Sequence, residues 1–434
     1  MKKKNVYISL TGDNLHHGHI KLINEAKKYG LLTVGLLTDK AVSNHKRIPL
    51  LNYEQREIVI RNISGVFNVV PQNEWDDSVN IKKLKPDYVI HGDDWKQGPQ
   101  SNLRSNVIKA LKKYKGKLIE FPHTRGISST ALSKYEIEQG IQPENRLKNL
   151  RKVLSVKKLV RFIETHSPIS GIIAEKASQN VNGKVNYFDG FWSSSLTDAS
   201  QKGKPDIEAL NISERLENIN NIFEVTSRPL IMDIDTGGKI EHLKLNIRSL
   251  ERLGISAVIM EDKTGLKKNS LHKNTSNQQQ DSIKNFSNKI KAIKSVQLNK
   301  EFMVIARIES LILGKNVKDA IIRARSYVKA GSDGIMIHSK KKTPKEIFDF
   351  AKQFRKEFKD IPLVCVPTSY NNVKEIEFEK KGFNIVIYAN HLFRAAYPSM
   401  VNAANSILKN ERSKEIDNKL ATIKEMLELI PGTK

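Results

Sequence analysis

Apolar residues in the first third of the chain fall into short runs separated by amphipathic stretches of helix length. Residues 6–10, 33–38, 67–70, 88–91 and 118–121 read as strands, and 20–29, 53–63 and 103–114 as helices between them. Such alternation predicts a doubly wound, parallel-sheet α/β domain over residues 1–137. The polar stretch 133–150, with Gln142-Pro143-Glu144-Asn145 near its middle, places a linker at 138–150. Beyond it the alternation restarts, with candidate strands at 171–177, 188–195, 229–237, 257–263, 302–310, 334–339, 362–367 and 384–390. Eight strands spaced by helix-length segments predict a C-terminal (β/α)8 barrel over 151–434. Residues 267–280, polar and without period, interrupt the pattern after the fourth strand. They read as inert low complexity or as a mobile lid over the barrel mouth, and their position favours the lid.

Composition narrows the function. With 39% hydrophobic residues in 434, the chain can build real cores, and no apolar run is long enough for a membrane span. The basic N-terminus is followed by only a short apolar run, too little for a signal peptide, and Cys365 is the sole cysteine, so a cytoplasmic, reducing setting is expected. The charge, 73 − 47 = +26, is spread along the whole chain among acids, without nucleic-acid-binding motifs. It reads as a lysine-rich solvated surface whose functional use is to attract small anionic substrates rather than nucleic acid.

The first strand runs into Thr11-Gly12-Asp13-Asn14-Leu15-His16-His17-Gly18-His19, followed by a helix ending at Gly30. At a helix start His16 and His19 share one face, and Gly18 lets a phosphate approach the backbone. Two imidazoles beside helix N-terminal amides suit the charge that builds on a phosphoryl group under attack. A zinc site is the rival, but it lacks a third ligand and the His-Glu-x-x-His spacing. The segment resembles the His-x-Gly-His nucleotidyltransferases, in particular the glycerol-3-phosphate cytidylyltransferase group. Thr38-Asp39 with Lys46-Arg47, Tyr53-Glu54-Gln55-Arg56, Gly92-Asp93-Asp94-Trp95 and Gly126-Ile127-Ser128-Ser129-Thr130 carry the likeness further. It implies CTP as co-substrate, His16 and His19 as catalytic groups on its α-phosphate, and Lys46 and Arg56 assisting with phosphates or acceptor. It also implies nucleotide contacts from Thr11, Asp13, Gly18, Asp93 and Trp95, with Ser128, Ser129 and Thr130 capping a helix that faces the triphosphate. The plain alternative for the Asp93–Trp95 turn is a bend with one buried Trp. Leu10-Thr11-Gly12-Asp13 departs from the family's Gly-Thr-Phe-Asp. His123-Thr124-Arg125-Gly126-Ile127-Ser128 displaces the family's phosphate-binding arginine by two positions, making Arg125 its substitute.

In the barrel, polar residues crowd the strands' C-terminal ends, the active-site face of this architecture: Trp192, Ser194, Asp233, Asp235, Glu261, Arg307, Glu309 and His338. Asp233 and Asp235, two apart on one strand, are expected to share a hard cation. Glu261 and Glu309 would complete a thiol-free oxygen shell suited to Mg²⁺, and Arg307 offers a fork for a carboxylate or phosphoryl group. Asp233-Ile234-Asp235-Thr236-Gly237-Gly238 and Glu261-Asp262-Lys263 with Lys267, Asn269 and Ser270 resemble phosphoenolpyruvate mutase, of the isocitrate lyase superfamily. Trp192-Ser193-Ser194-Ser195-Leu196, Asp206, Arg307-Ile308-Glu309 and His338-Ser339-Lys340-Lys341 match as well, over 150–400. The resemblance implies Mg²⁺ near Asp233, pyruvyl contacts from Ser194 and Ser195, and Arg307 and His338 around the phosphoryl group. Asn269 would orient or transiently accept that group, and Trp192, Leu196, Asp206, Lys267 and Ser270 complete the substrate site. The lyase branch needs a Lys-Cys-Gly-His loop, which is missing here; phosphonopyruvate hydrolase is the closer rival.

The same domain order is found in the bifunctional enzyme of fosfomycin biosynthesis. Phosphoenolpyruvate, phosphonopyruvate, CTP and a phosphonate acceptor are therefore the expected partners, with 2-hydroxyethylphosphonate favoured over 2-aminoethylphosphonate. A regulatory, nucleotide-sensing N-terminal domain is the alternative. A homo-oligomer, dimer or tetramer, is expected because barrels of this superfamily exchange a C-terminal helix.

Overall fold

The computed structural model describes residues 3–96, 101–122, 142–265, 267–270 and 278–430. Contacts divide the chain into two compact units, 1–136 with 179–186, and 137–178 with 187–434.

The first unit is a five-stranded parallel sheet whose spatial order, by the strands' place in the chain, is third, second, first, fourth, fifth. Its strands are β1 (Asn5–Leu10), β2 (Leu31–Leu37), β3 (Val66–Gln72), β4 (Tyr88–Gly92) and β5 (Lys117–Phe121). Alternation along β1 feeds both faces. Val6, Ile8 and Leu10 pack with Ile23, Ala26 and Ile60 of helices His17–Ala26 and Tyr53–Arg61. Tyr7 packs with Ile81, Val107 and Leu111 of helices Ser78–Leu84 and Ser101–Lys112 on the other. Gly35 makes room for Tyr7, whose hydroxyl would lie 1.9 Å from a Cβ there. That hydroxyl donates to buried Gln72 at 2.7 Å.

The second unit closes a barrel of eight parallel strands. In chain order they are β6 (Val160–Glu164), β9 (Gly190–Ser193), β10 (Leu230–Asp233), β11 (Ala257–Glu261), β14 (Met303–Ile308), β15 (Gly334–Ile337), β16 (Leu363–Cys365) and β17 (Ile385–Tyr388). A short hairpin adds β12 (Lys263–Thr264) with β13 (Gln279–Gln280), whereas the hairpin of β7 (Ser178–Val181) with β8 (Lys184–Tyr187) is counted, over 179–186, with the first unit. Residues of one pleat, Ile231, Ala257, Ile259, Met303, Ile305, Met336 and Val364, form one core cluster. The opposite pleat joins the surrounding helices in a second cluster. Continuing the first row by two residues gives Asp233, Glu261, Arg307 and His338. These polar side chains thus form the top layer of the barrel interior, at the strands' C-terminal ends.

Two expectations are corrected. Residues 171–177 are not a strand but lie mostly in helix Pro168–Lys176, started by a Ser167 capping box and Pro168 at its first turn. The first barrel strand is β6 instead, so the count of eight survives with one member exchanged. The linker reading fails over 143–150, which belongs to helix Pro143–Val156. Leu150 joins the interior cluster, and buried Arg146 donates to the carbonyls of Thr226 (2.6 Å) and Arg228 (2.9 Å). Residues 138–141 lie outside the described residues. Cys365, at the end of β16, is fully buried. Among the described residues no helix is long and apolar enough to cross a membrane.

Candidate active sites

At the top of the barrel one cavity is lined by Trp192, Ser194, Ser195, Leu196, Asp206, Lys267 and Ser270, all seven residues expected to bind substrate. Asp233, Asn269, Arg307 and His338 line it too. Lys267–Ser270 reaches across: Lys267 donates to Asp206 (2.8 Å) and contacts Ser195 and Asp235, while the Asn269 amide donates to Asp206 at 2.9 Å. Ser270 Oγ receives Arg307 at 2.7 Å and donates to Glu309 at 2.6 Å. Residues 271–277, the centre of the expected lid, lie outside the described residues.

The four expected metal ligands are divided rather than gathered, and among the described residues no three His, Cys, Asp or Glu side chains form a ready cage. Only Asp233 lines the cavity. It closes β10, whereas Asp235 lies past the strand end with φ +53°, so the two do not share a face by strand periodicity. The Asp235 amide donates to Asp233 Oδ1 at 3.0 Å, and its carboxylate faces Lys267. Glu309 is taken by Arg307 Nε at 2.6 Å. Burial works against its charge, but Arg307 and Lys263 win and hold its carboxyl below the usual range. Glu261, opposite Arg307 in the strand register, has two buried oxygens without a hydrogen-bond donor. Burial pushes its carboxyl up to about 7 despite Arg307 and Lys263 at 3.4 and 3.3 Å.

His338 is buried, and burial followed by the Arg307 charge pushes it down to about 4. It is neutral at working pH. Between pH 6.5 and 4 the unfolded chain therefore binds a proton that the folded barrel refuses, so stability falls on acidification. Relative to His338→Asn, the wild type should lose about 2 kcal/mol more between pH 7 and pH 5. Parallel melting-temperature curves for the two proteins would contradict this.

Sequence reading missed Arg215 and Asp198, and it quoted Lys263 and Ser193 within motifs without giving either a role. Lys263, buried between Glu261 and Glu309, donates to Ser270 Oγ at 3.0 Å. Behind Asp233, buried Arg215 donates to Asp198 (2.9 Å) and to the Asp233 carbonyl, and Ser193 donates to Asp198 at 2.6 Å. Arg215 left a signal, a charge within the apolar stripe of helix Ile212–Val225.

In the first unit, His16 and His19 meet at the start of helix His17–Ala26 with ring centroids 4.1 Å apart. His16 Nδ1 accepts the Gly18 N–H at 3.1 Å, and His19 Nδ1 accepts the His16 N–H at 3.3 Å. A ring nitrogen that accepts carries no proton, so each neutral imidazole bears its hydrogen on Nε2 as a donor. The cap thus leaves each ring an N–H donor at Nε2. Asp13 accepts from the Leu50 amide at 3.1 Å, and Gly12, at φ +69°, turns the chain beside Leu36. Arg56 does not reach for a phosphate: fully buried, it donates to Asp39 (2.5 Å) and to the carbonyls of Leu51 and Thr11. Its role is to brace the Thr11 loop. Trp95 is likewise a core residue, stacked on His91 at 3.7 Å and donating to Glu120 at 2.8 Å, as the buried-Trp alternative has it. Asp93 opens that turn. Lys46 sits 5.4 Å over the ring of Trp75, on which His45 stacks; sequence reading did not single out Trp75. Arg125, Ser128, Ser129 and Thr130, with His123, lie outside the described residues.

Residues 150–408 match the family model described as phosphoenolpyruvate phosphomutase, and 11–135 one described as cytidylyltransferase-like. The chain is 35% identical to a phosphonopyruvate hydrolase of Variovorax sp. (strain Pal2) over 64% of its length and 93% of the relative's. It is 33% identical to a phosphoenolpyruvate phosphomutase of Tetrahymena pyriformis over 64% of its length and 89% of that protein's. Among solved structures, a phosphoenolpyruvate phosphomutase from Streptomyces platensis subsp. rosaceus superposes with TM-score 0.60 at 33% identity, covering 65% of this chain and 93% of that one. A phosphonopyruvate hydrolase complex with oxalate and Mg²⁺ gives 0.58 at 33%, covering 67% and 95%.

Proposed function

The chain belongs to the phosphoenolpyruvate phosphomutase family and carries a cytidylyltransferase-like domain, and from that premise we propose a bifunctional enzyme of phosphonate synthesis acting in the cytoplasm. The barrel interconverts phosphoenolpyruvate and 3-phosphonopyruvate. The first unit transfers CMP from CTP to a phosphonate such as 2-hydroxyethylphosphonate, releasing pyrophosphate.

The observation that carries the mutase reading is the closure of Lys267–Ser270 over the cavity, with Lys267 and Ser270 both buried. A phosphoryl group leaving carbon for oxygen through a loose, metaphosphate-like state must be kept from water, or hydrolysis results. Arg307 and neutral His338 surround that group, Asn269 orients it, and Ser194 and Ser195 face the pyruvyl unit. The donors fit Mg²⁺, since they are hard oxygens, two of them orphaned on Glu261, and Mg²⁺ binds through one or two carboxylates while keeping waters. Asp233 would hold it, with Glu261 and Asp235 beside it. It would supply positive charge to the enolate and carboxylate. In the first unit the Nε2 donors of His16 and His19, with Gly18 at the helix start, receive the α-phosphate charge, and Lys46 assists. Helix His391–Asn410 has no buried residue and shows Tyr397, Met400 and Leu408 to solvent, which supports a homo-oligomer.

Phosphorus NMR tests both halves. Phosphonopyruvate with Mg²⁺ should yield phosphoenolpyruvate; pyruvate and phosphate as the main products identify a hydrolase. CTP with 2-hydroxyethylphosphonate should give the CMP-phosphonate, and CTP left intact with every phosphonate offered favours a nucleotide-sensing domain.

A further inference from the structure

We infer that Asp262 is a positioning residue of the barrel reaction, holding the Lys267–Ser270 cover and the Arg307–Glu309 pair to one buried point and so governing how well water is kept from the phosphoryl group. The inference rests on the mutase reading. Asp262 is fully buried and does not line the cavity. Its Oδ1 accepts the Glu309 amide at 2.8 Å, and its Oδ2 accepts Tyr327 Oη (2.7 Å), Gln280 Nε2 (2.9 Å) and Arg323 (3.1 Å). Its own amide donates to the Arg307 carbonyl at 3.1 Å, and its carbonyl receives the Asp281 amide at 2.9 Å. One residue therefore joins the ends of β11 and β14, strand β13 and helix Val317–Lys329.

These partners lead directly to the reacting groups. Gln280 pairs with Lys263 across β12 and β13, and Lys263 Nζ donates to Ser270 Oγ (3.0 Å) and to the Lys268 carbonyl (3.2 Å). Glu309, whose amide Asp262 holds, binds both Arg307 and Ser270. Slack at Asp262 thus reaches the cover by one route and the phosphoryl-facing arginine by another. The product records the slack. In both fates the carbon–phosphorus bond breaks, leaving the pyruvate enolate. When the enolate oxygen takes phosphorus, phosphoenolpyruvate forms; when a water oxygen takes it, phosphate forms and one water proton ends on the enolate carbon as pyruvate.

The experiment is product analysis from phosphonopyruvate and saturating Mg²⁺ by phosphorus NMR and pyruvate assay, in the full chain. Asp262→Asn keeps the shape but turns an amide group toward donors. It should raise the ratio of pyruvate to phosphoenolpyruvate at least tenfold while total turnover falls. Gln280→Ala and Tyr327→Phe, which remove one donor each, should shift the ratio the same way by a smaller factor, and they decide the matter if Asp262→Asn does not fold. Ile293→Val, a core change away from the network, should leave the ratio unchanged. Slower turnover at an unchanged ratio in the folded variants overturns the inference and leaves Asp262 a structural residue. A wild-type enzyme that itself yields mainly pyruvate and phosphate overturns the mutase reading instead.

Discussion

Asp233→Ala is expected to lower phosphonopyruvate–phosphoenolpyruvate interconversion by at least about a thousandfold, the scale of roughly 4 kcal/mol of transition-state stabilisation. Asp233 is the one proposed metal-holding carboxylate that lines the cavity, and its oxygens also accept Ser195 Oγ at 3.2 Å and the Asp235 amide at 3.0 Å. Its removal withdraws the anionic anchor, takes one hydrogen-bond partner from Ser195, and deletes a carboxylate 3.8 Å from Arg307. The Arg215–Asp198–Ser193 network behind it remains, so the barrel should fold, as circular dichroism can verify. Initial rates across a Mg²⁺ titration are the measurement. Activity within tenfold of wild type at high Mg²⁺ would show that the carboxylate is not the anchor.

His16→Ala should remove cytidylyl transfer by about a hundred- to a thousandfold, the usual loss on deleting one donor to developing charge, while mutase turnover stays within about twofold. The alanine variant also loses the helix cap, an effect of about 1 kcal/mol on the first unit. His16→Asn separates the two, because asparagine caps a helix well but lacks the Nε2 donor. It should restore stability and leave transfer absent. Both reactions are to be assayed under one buffer. A tenfold loss of mutase activity in a folded His16→Ala protein would falsify independent sites and favour the regulatory reading.

Much of this architecture is written in local pattern, and the exceptions have identifiable causes. Strands β9 to β17 of the barrel were legible because both faces are buried and apolar runs mark them. Strand β6 was not, since Val160–Glu164 carries Arg161 and Glu164 and follows Lys157-Lys158. The adjacent Ile172-Ile173 pair imitated a strand, although Ser167-Pro168 already signalled a helix start. Charges at Glu144, Arg146 and Lys148 hid the apolar spacing of Leu147 and Leu150. In the barrel site, residue type and strand-end position marked Trp192, Ser194, Asp233, Arg307 and His338; the family resemblance added Ser195, Leu196, Asp206, Lys267, Asn269 and Ser270, while Met336, Val366, Thr368, Ala389 and Asn390 carried no signal. Neither source could show which carboxylates are spent on Lys267 and Arg307, because Lys267 pairs with Asp206 and Asp235 far away in the chain and the Arg307–Glu309 pair depends on how the side chains turn at the end of β14. Arg56 and Trp95 show the same limit, as motif residues whose polar atoms turn into the core.

The burial of Cys365 turns the chain's sole thiol into a clock for the barrel. Burial pushes the thiol well above its usual range, so an alkylating reagent reacts only after β16 is exposed. When reclosing outpaces alkylation, the labelling rate in a large excess of reagent reports the free energy of that opening. Melting of the first unit alone leaves the label unincorporated. Optical melts of a two-unit chain mix two transitions and define no single unfolding free energy. Mass change at this one sulfur isolates the barrel's share, residue by residue across a mutant series, without cutting the chain.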